Sequence, residues 1–202
     1  EDVNSERRAA FIPGSDLWKS YIRYAYLMCQ IGDRIFVHGG LPIQLSESID
    51  GVLGRDPILN INQNIRKYLY RGKNEGVRAI LLVRWLMDDS KNVLWNRTWG
   101  SIGYNPPDCK SLRTQLDTVL KRWGSGDLPA RQLIVAHCTQ YANITHEMMA
   151  REPHTKGINH VCDGRVYRVD VGMSRAFDYT IEHFEMLLFD HLNVNQNLDF
   201  AL

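Results

Sequence analysis

The feature that most constrains the fold is the stretch of residues 35–42, where an apolar run is followed at once by a histidine, two glycines and a short connection to a proline. Three consecutive apolar residues, two of them β-branched, predict a short buried strand. Gly39 and Gly40 then allow the backbone to turn sharply and to approach a neighbouring segment closely. His38 is therefore expected where a strand leaves a sheet, the place where ligands and catalytic groups collect in open α/β sheets. A histidine satisfied by a nearby carbonyl is the simpler interpretation of His38 alone.

A second strand repeats this arrangement. Residues 132–136 form another apolar run, and His137 follows it, 99 positions after His38. Both histidines are expected at the carboxyl edge of one sheet. Neutral imidazoles bind Zn, Fe, Mn and Ni well, and two nitrogens that share one ion should lie within roughly 4 Å of each other. Two ligands do not complete such a site, which usually needs carboxylates as well.

Composition predicts one globular domain. The chain has 202 residues, of which 44% are hydrophobic, and a chain of this length buries roughly 70% of its unfolded surface. The net charge of +1 provides no field for nucleic acid, and no apolar run is long enough for a membrane span. Because the sequence begins at Glu1, we expect a piece of a longer polypeptide. Its localisation signal would lie outside the piece, and the location would be cytoplasmic or organellar.

The cysteines are widely spaced and form no CxxC pair. This spacing argues against a zinc ribbon and favours reduced, individually buried thiols. The four residues are Cys29, Cys109, Cys138 and Cys162. Two glycosylation sequons, at Asn96 and Asn143, match a pattern that is common by chance.

Hydrophobic periodicity and turn signals predict alternating helices and strands, and therefore an α/β fold with a mixed sheet flanked by helices. Helices are predicted over residues 17–23 (capped by Ser15 or Asp16), 46–53, 58–69, 77–87 and 111–123. Strands are predicted over residues 24–29, 35–37, 132–136 and 184–189, with a hairpin over 161–170 that turns at Asp163-Gly164 and a glycine-bearing strand exit at 171–174.

Four motifs occur in a fixed order: Phe36-Val37-His38-Gly39-Gly40-Leu41, Val93-Leu94-Trp95-Asn96-Arg97, Leu133-Ile134-Val135-Ala136-His137-Cys138-Thr139-Gln140 and Tyr167-Arg168-Val169-Asp170-Val171-Gly172-Met173-Ser174. As an ordered set they resemble the calcineurin-like metallophosphoesterases, in particular the Shewanella-like protein phosphatase branch. Residues 157–165 also look like that branch's approach to its last motif. The resemblance covers roughly residues 30–190 and implies that residues 1–202 form the C-terminal portion of one such domain, with part of its β-sandwich.

The resemblance also implies roles for four residues. His38 and His137 would ligate the same one of two divalent transition metal ions (Mn, Fe or Zn), and Arg97 would hold the substrate phosphate in a bidentate fork. Asp170 would support a ligand or a loop without binding metal itself. The alternatives are a surface Arg97 beside two packing tryptophans and an ordinary turn aspartate at Asp170. Trp95 and Trp99 are expected to supply the packing of the Arg97 segment, since large aromatic side chains dominate core energetics. His146, His154, His160, His183 and His191 match no family motif.

Three departures from the family pattern stand out. Ala136-His137-Cys138 replaces the usual Gly-His-Thr, at a cost in backbone freedom, and residues 141–155 look longer than the usual connection. The motifs Gly-Asp-x-His, Gly-Asp-x-x-Asp-Arg and Gly-Asn-His-Glu, which supply the other ligands in the family, do not occur in this sequence. We therefore expect a missing N-terminal half, or a partner chain, to supply them.

The leading functional hypothesis is a phosphatase. The intact parent would hydrolyse phosphomonoesters with a metal-activated hydroxide, and phosphoserine or phosphothreonine in proteins is the implied substrate, with phosphotyrosine left open. A catalytically inactive scaffold or interaction subunit with the same fold is the alternative. A nucleotide pyrophosphohydrolase is a third, weaker hypothesis.

Overall fold

The strands within the described part of the chain form one five-stranded mixed sheet. The computed structural model describes residues 3–12, 14–21, 24–71, 76–88, 92–100, 109–125, 128–137 and 158–169. The helices in these ranges are α1 (Val3–Phe11), α2 (Asp16–Ser20), α3 (Glu47–Leu53), α4 (Pro57–Arg71), α5 (Val77–Asp88) and α6 (Cys109–Trp123). The strands are β1 (Met28–Ile31), β2 (Arg34–Val37), β3 (Gln132–Val135), β4 (Asn159–Val161) and β5 (Val166–Arg168).

The strand order is β1-β2-β3-β5-β4. The three central strands β2, β3 and β5 run parallel, and antiparallel partners β1 and β4 form the two edges. Val37 on β2 is in register with Val135 on β3, which is in register with Arg168 on β5. The carboxyl ends of the central strands therefore meet at one edge of the sheet. The α/β class and the mixed sheet are both confirmed.

The hydrophobic core lies between one face of this sheet and the helices. Side chains in alternate strand positions, such as Ile35, Val37, Leu133 and Val135, pack with buried residues of α3 to α6. Their neighbours Phe36 and Ile134 point to the opposite face, as the period of two requires. Leu116, Val119 and Leu120 of α6 are buried as their helical spacing predicts, and Leu112 is partly buried.

Most predicted elements are present with small shifts in their ends, but the first strand is displaced. It was expected over residues 24–29, whereas β1 runs from Met28 to Ile31. Met28 pairs with the last residue of β2, so the residues before it have no strand partner there. They contact α4, where the Leu27 N–H donates to Asn62 Oδ1 at 2.9 Å. Helix α2 begins as predicted, since the Ser15 hydroxyl accepts from the Trp18 N–H at 3.1 Å, but it ends at Ser20. Helix α1 has no counterpart among the predicted elements.

Two tight turns form where the sequence predicts them. Gly32-Asp33 joins β1 to β2, with Gly32 at a φ of 60°. The β4–β5 hairpin turns through Cys162, Asp163 and Gly164, all three in the left-handed region. The predicted strand over residues 184–189 and the strand exit at 171–174 lie outside the described residues.

The prediction of four separate thiols is wrong for one pair. Cys109, at the start of α6, forms a disulfide with Cys162 in the hairpin turn, across 53 positions of sequence. Sequence spacing missed the pair because only the packing of α6 beside the hairpin brings the two Cα atoms to 5.5 Å. Cys29 is free, and burial raises the pKa of its thiol above the ordinary value. Cys138 lies outside the described residues.

Ion pairs extend the contact between α6 and the hairpin turn. Arg113 pairs with Asp163, and Asp117 pairs with Arg165. Cys109, Arg113 and Asp117 are four residues apart and therefore lie on one face of α6. The Arg165 Nε–H also donates to the Arg131 carbonyl at 2.7 Å, just before β3. The hairpin turn therefore contacts both α6 and the start of β3, the strand that leads to His137.

No helix in the described ranges is long and apolar enough to cross a membrane.

Candidate functional site

Two histidine rings meet at the carboxyl edge of the central strands. His38 follows β2 directly and His137 lies two residues after β3. The His38 Nε2 and His137 Nδ1 atoms are 3.1 Å apart, and the ring centroids are 4.9 Å apart. His38 is exposed and His137 is partly buried. The expectation that the rings lie close together is confirmed, whereas their role as metal ligands stays a prediction.

The glycines after His38 allow a close backbone contact. The Gly39 and Gly40 N–H groups both donate to the Val93 carbonyl, at 3.0 and 3.2 Å. A Cβ atom on Gly39 would stand 2.5 Å from the Leu94 carbonyl oxygen, which is too close for any side chain. The residue after His38 is therefore glycine because residues 93–94 pass directly beside it.

The backbone at His137 is strained. Its φ is 64°, a conformation that residues with a Cβ atom adopt at a cost and that clusters at functional sites. The Ala136 N–H donates to the His38 carbonyl at 2.9 Å, which ties the two histidine segments together. Ala136 is not among the residues of positive φ. Position 136 therefore does not need the left-handed backbone that favours glycine. His137 has that conformation instead.

Trp95 lies beside the histidines, which the sequence reasoning missed. Its ring centroid is 5.3 Å from that of His137, in an edge-to-face arrangement at 80°. We expected Trp95 and Trp99 to pack the segment together, and this is wrong for Trp95: its exposure is 49%, against 0% for Trp99. Trp99 is part of the buried core and donates from Nε1 to the Leu41 carbonyl at 2.6 Å. The sequence signal for Trp95 is its place in the same motif as Arg97.

A buried asparagine holds the turn that leads to Arg97. The Asn96 Oδ1 atom accepts from the Thr98 N–H at 2.8 Å, and Arg97 between them is exposed. Asn96 is 4% exposed, so its amide is not accessible for glycosylation in the folded chain. The phosphate-binding role of Arg97 stays a prediction.

The other candidate residues fall elsewhere. Asp170 lies outside the described residues, as do His146, His154, His183 and His191. His160 is on the edge strand β4, where its ring stands 5.5 Å from that of Tyr167. It is therefore not part of the histidine pair.

The histidine pair fits two positions around one metal ion. Ligands at about 2.0–2.1 Å from an ion lie about 2.8–3.4 Å from each other when the angle between them is between octahedral and tetrahedral. The observed 3.1 Å between Nε2 and Nδ1 is inside that range. No cluster of three or more His, Cys, Asp or Glu side chains occurs within the ranges that the structure describes. Within those ranges the two imidazoles therefore have no third such side chain beside them.

Most of the chain is similar in sequence to part of a plant protein phosphatase. It is 28% identical over 170 residues to Shewanella-like protein phosphatase 2 of Arabidopsis thaliana. The match covers 84% of this chain and 34% of that protein, so this chain spans about a third of the relative's length. No family model matches the chain, and no solved structure matches it significantly. The similarity therefore points to a phosphatase-related chain.

Proposed function

We propose that this chain is part of a metal-dependent phosphatase that hydrolyses phosphomonoesters. The observation that carries the proposal is the 3.1 Å separation of His38 Nε2 and His137 Nδ1 at the carboxyl edge of parallel strands. The similarity to a protein phosphatase supports the same reaction class. A hydrogen bond between the two imidazoles explains the distance without metal, so the experiment must separate the two interpretations.

His38 and His137 would hold one of two divalent ions through neutral imidazole nitrogens, with Mn, Fe and Zn as the candidates. Such ions, when bound, lower the pKa of water towards about 7 and neutralise charge on the phosphoryl group. The strained backbone at His137 supports a role for this residue beyond packing, because such strain persists only where the surrounding structure maintains it. Asp170, close after β5 in sequence, would support a ligand or loop at the same edge.

Arg97 would bind the phosphate. Its guanidinium is exposed on a turn that the buried Asn96 holds in place, so it is free to meet an incoming ligand. A guanidinium matches two phosphate oxygens in a bidentate fork. In the reaction, a water oxygen forms a bond to phosphorus and the phosphorus–ester oxygen bond breaks. The ester oxygen leaves with a proton as an alcohol or phenol, and inorganic phosphate remains.

The substrate class is phosphorylated protein or another phosphomonoester, following the name of the relative. The remaining metal ligands would come from an N-terminal half or a partner chain. Such a half would also supply the rest of the β-sandwich that the resemblance implies.

The test measures metal content and kinetics of the full-length parent. His38→Ala and His137→Ala should each lower the bound metal, measured by elemental analysis after dialysis, whereas His160→Ala on the edge strand should retain it. Arg97→Ala should keep the metal and lower kcat/KM by about 10²–10³, and Arg97→Lys should recover part of that loss. Unchanged metal content in both histidine variants would contradict the assignment.

The scaffold alternative gives a different result in the same experiment. A parent that binds no divalent metal and hydrolyses no phosphomonoester, while Arg97→Ala lowers its thermal stability, would overturn the phosphatase proposal. A substrate panel that includes dinucleotides separates the pyrophosphohydrolase hypothesis from a phosphatase.

A further inference from the structure

The exposure of Trp95 sets it apart from the rest of its segment. Val93, Asn96 and Trp99 around it are all buried, whereas about half of the indole surface is open, at 49% exposure. Burial is the main way in which a large aromatic side chain stabilises a fold. Trp95 does this only in part, so its position calls for another explanation.

The backbone beneath the ring is firmly held. The Leu94 and Trp95 N–H groups donate to the Asn92 Oδ1 atom at 2.7 and 3.1 Å. The Asn96 N–H donates to the Asn92 carbonyl at 2.9 Å, and Asn92 is itself fully buried. A ring on such a backbone loses little conformational freedom when a ligand packs against it.

The ring also borders the candidate site. Its edge-to-face contact with His137 leaves at least one face of the indole uncovered by the imidazole. Arg97 is two residues further along the chain, so its Cα atom is within about 7 Å of that of Trp95. A phosphate ester bound between the histidine pair and Arg97 would place its organic group beside the half-exposed indole.

We propose that Trp95 determines specificity by packing against the organic group of the ester and that it favours a flat aromatic group over an alkyl group. The proposal rests on the proposed phosphatase function and names aryl phosphates, such as a phosphotyrosine side chain, as the favoured class. Offset stacking of 0.5–1.5 kcal/mol converts to about a 2- to 12-fold gain at 1.4 kcal/mol per tenfold. The open face of a rigidly held indole is the surface that such stacking requires.

The experiment compares variants, since a phenol is a better leaving group than an alcohol in any enzyme. Full-length Trp95→Ala, Trp95→Phe and wild type are assayed on two peptides that differ only in phosphotyrosine or phosphoserine. Trp95→Ala should lower kcat/KM for the phosphotyrosine peptide by about 2- to 12-fold and change kcat/KM for the phosphoserine peptide by less than twofold. Trp95→Phe should retain most of the preference. Phe11→Ala removes another exposed aromatic side chain, on α1, and should change neither value.

A binding measurement without turnover completes the test. Phenylphosphonate should bind wild type more tightly than methylphosphonate, and the ratio of the two Kd values should approach one in Trp95→Ala. Equal losses for both peptides, or an unchanged Kd ratio, would overturn the role of Trp95 while leaving the phosphatase proposal intact. A wild-type parent that neither hydrolyses the peptides nor binds the phosphonates would overturn both.

Discussion

Trp95 and Trp99 illustrate how two residues of one motif differ once their surroundings are known. The same spacing predicts that both pack, yet one is buried with a hydrogen bond to the Leu41 carbonyl and the other is half exposed beside His137. The sequence does not separate them, because the residues next to each tryptophan do not show which of the two rings faces the core. The difference arises from contacts with Gly40 and Leu41, which are distant in sequence.

This difference predicts unequal effects on stability. Trp99→Ala should lower the free energy of unfolding by about 3–5 kcal/mol, because it removes a fully buried ring and leaves a cavity. Trp95→Ala should cost below about 1.5 kcal/mol, since only half of that ring is buried. Equilibrium urea unfolding of both variants measures the two losses. Losses of equal size would contradict the assignment of Trp99 as the packing residue.

Gly39 permits a second prediction at the scale of one residue. Gly39→Ala should lower the free energy of unfolding by about 1–3 kcal/mol or more. The new Cβ atom would clash with the backbone of Leu94, so one of the two segments would have to move. Gly51→Ala is the matched control. Gly51 lies inside α3 with open space around it, so alanine there should stabilise by about 0.5–1 kcal/mol. Thermal unfolding of the two variants checks that the changes have opposite signs.

At the scale of elements, α6 and the β4–β5 hairpin form a linked unit. The helix was predicted from its apolar spacing and the hairpin from Asp163-Gly164, and both form. Their connection through Cys109–Cys162, Arg113–Asp163 and Asp117–Arg165 was not predicted, because it depends on which helix face meets the turn. The ion pairs are substantially exposed and contribute little each. The disulfide therefore stabilises this connection more than the ion pairs do.

Removal of the disulfide should destabilise the chain by about 2–4 kcal/mol, since the cross-link closes a loop of 53 positions. The double variant Cys109→Ser/Cys162→Ser is compared with wild type in thermal unfolding. A reductant should lower the Tm of wild type towards that of the double variant and leave the double variant unchanged. If the reductant left the Tm of wild type unchanged, the result would contradict the pairing of Cys109 with Cys162.

At the scale of the whole molecule, three parallel strands bring together segments that are a hundred residues apart. His38 and His137 meet because β2 and β3 are neighbours in register, and the residues after β5 start at the same edge. In the described ranges this edge offers two imidazoles, and no third His, Cys, Asp or Glu lies close enough to share a metal ion with them. The proposed function therefore needs further ligands from outside these ranges.

The 202-residue chain expressed alone should accordingly not hydrolyse p-nitrophenyl phosphate and should bind transition metals weakly. The full-length parent, assayed in the same buffer with the same metal, is the positive control. Robust hydrolysis by the chain alone that EDTA abolishes would show that its own residues complete the site.

Local patterns in the sequence determined the helices and strands and the residues at their ends. The periods of 3.6 and 2, the glycine turns and the Ser15 cap act over a few residues, so they can be recognised without a structure. They were enough to predict a mixed α/β sheet with His38 and His137 at its edge. The displaced β1 shows the limit, because the end of that strand depends on the length of its partner β2.

Only the tertiary structure decided which segments touch and how. The positive φ of His137, the open face of Trp95 and the Cys109–Cys162 bond each depend on contacts between segments that are far apart in sequence. A residue type and its local spacing do not specify such contacts, because many arrangements of the same elements satisfy one hydrophobic pattern. Packing of the helices on the sheet selects one arrangement, and that choice places an indole beside the two imidazoles.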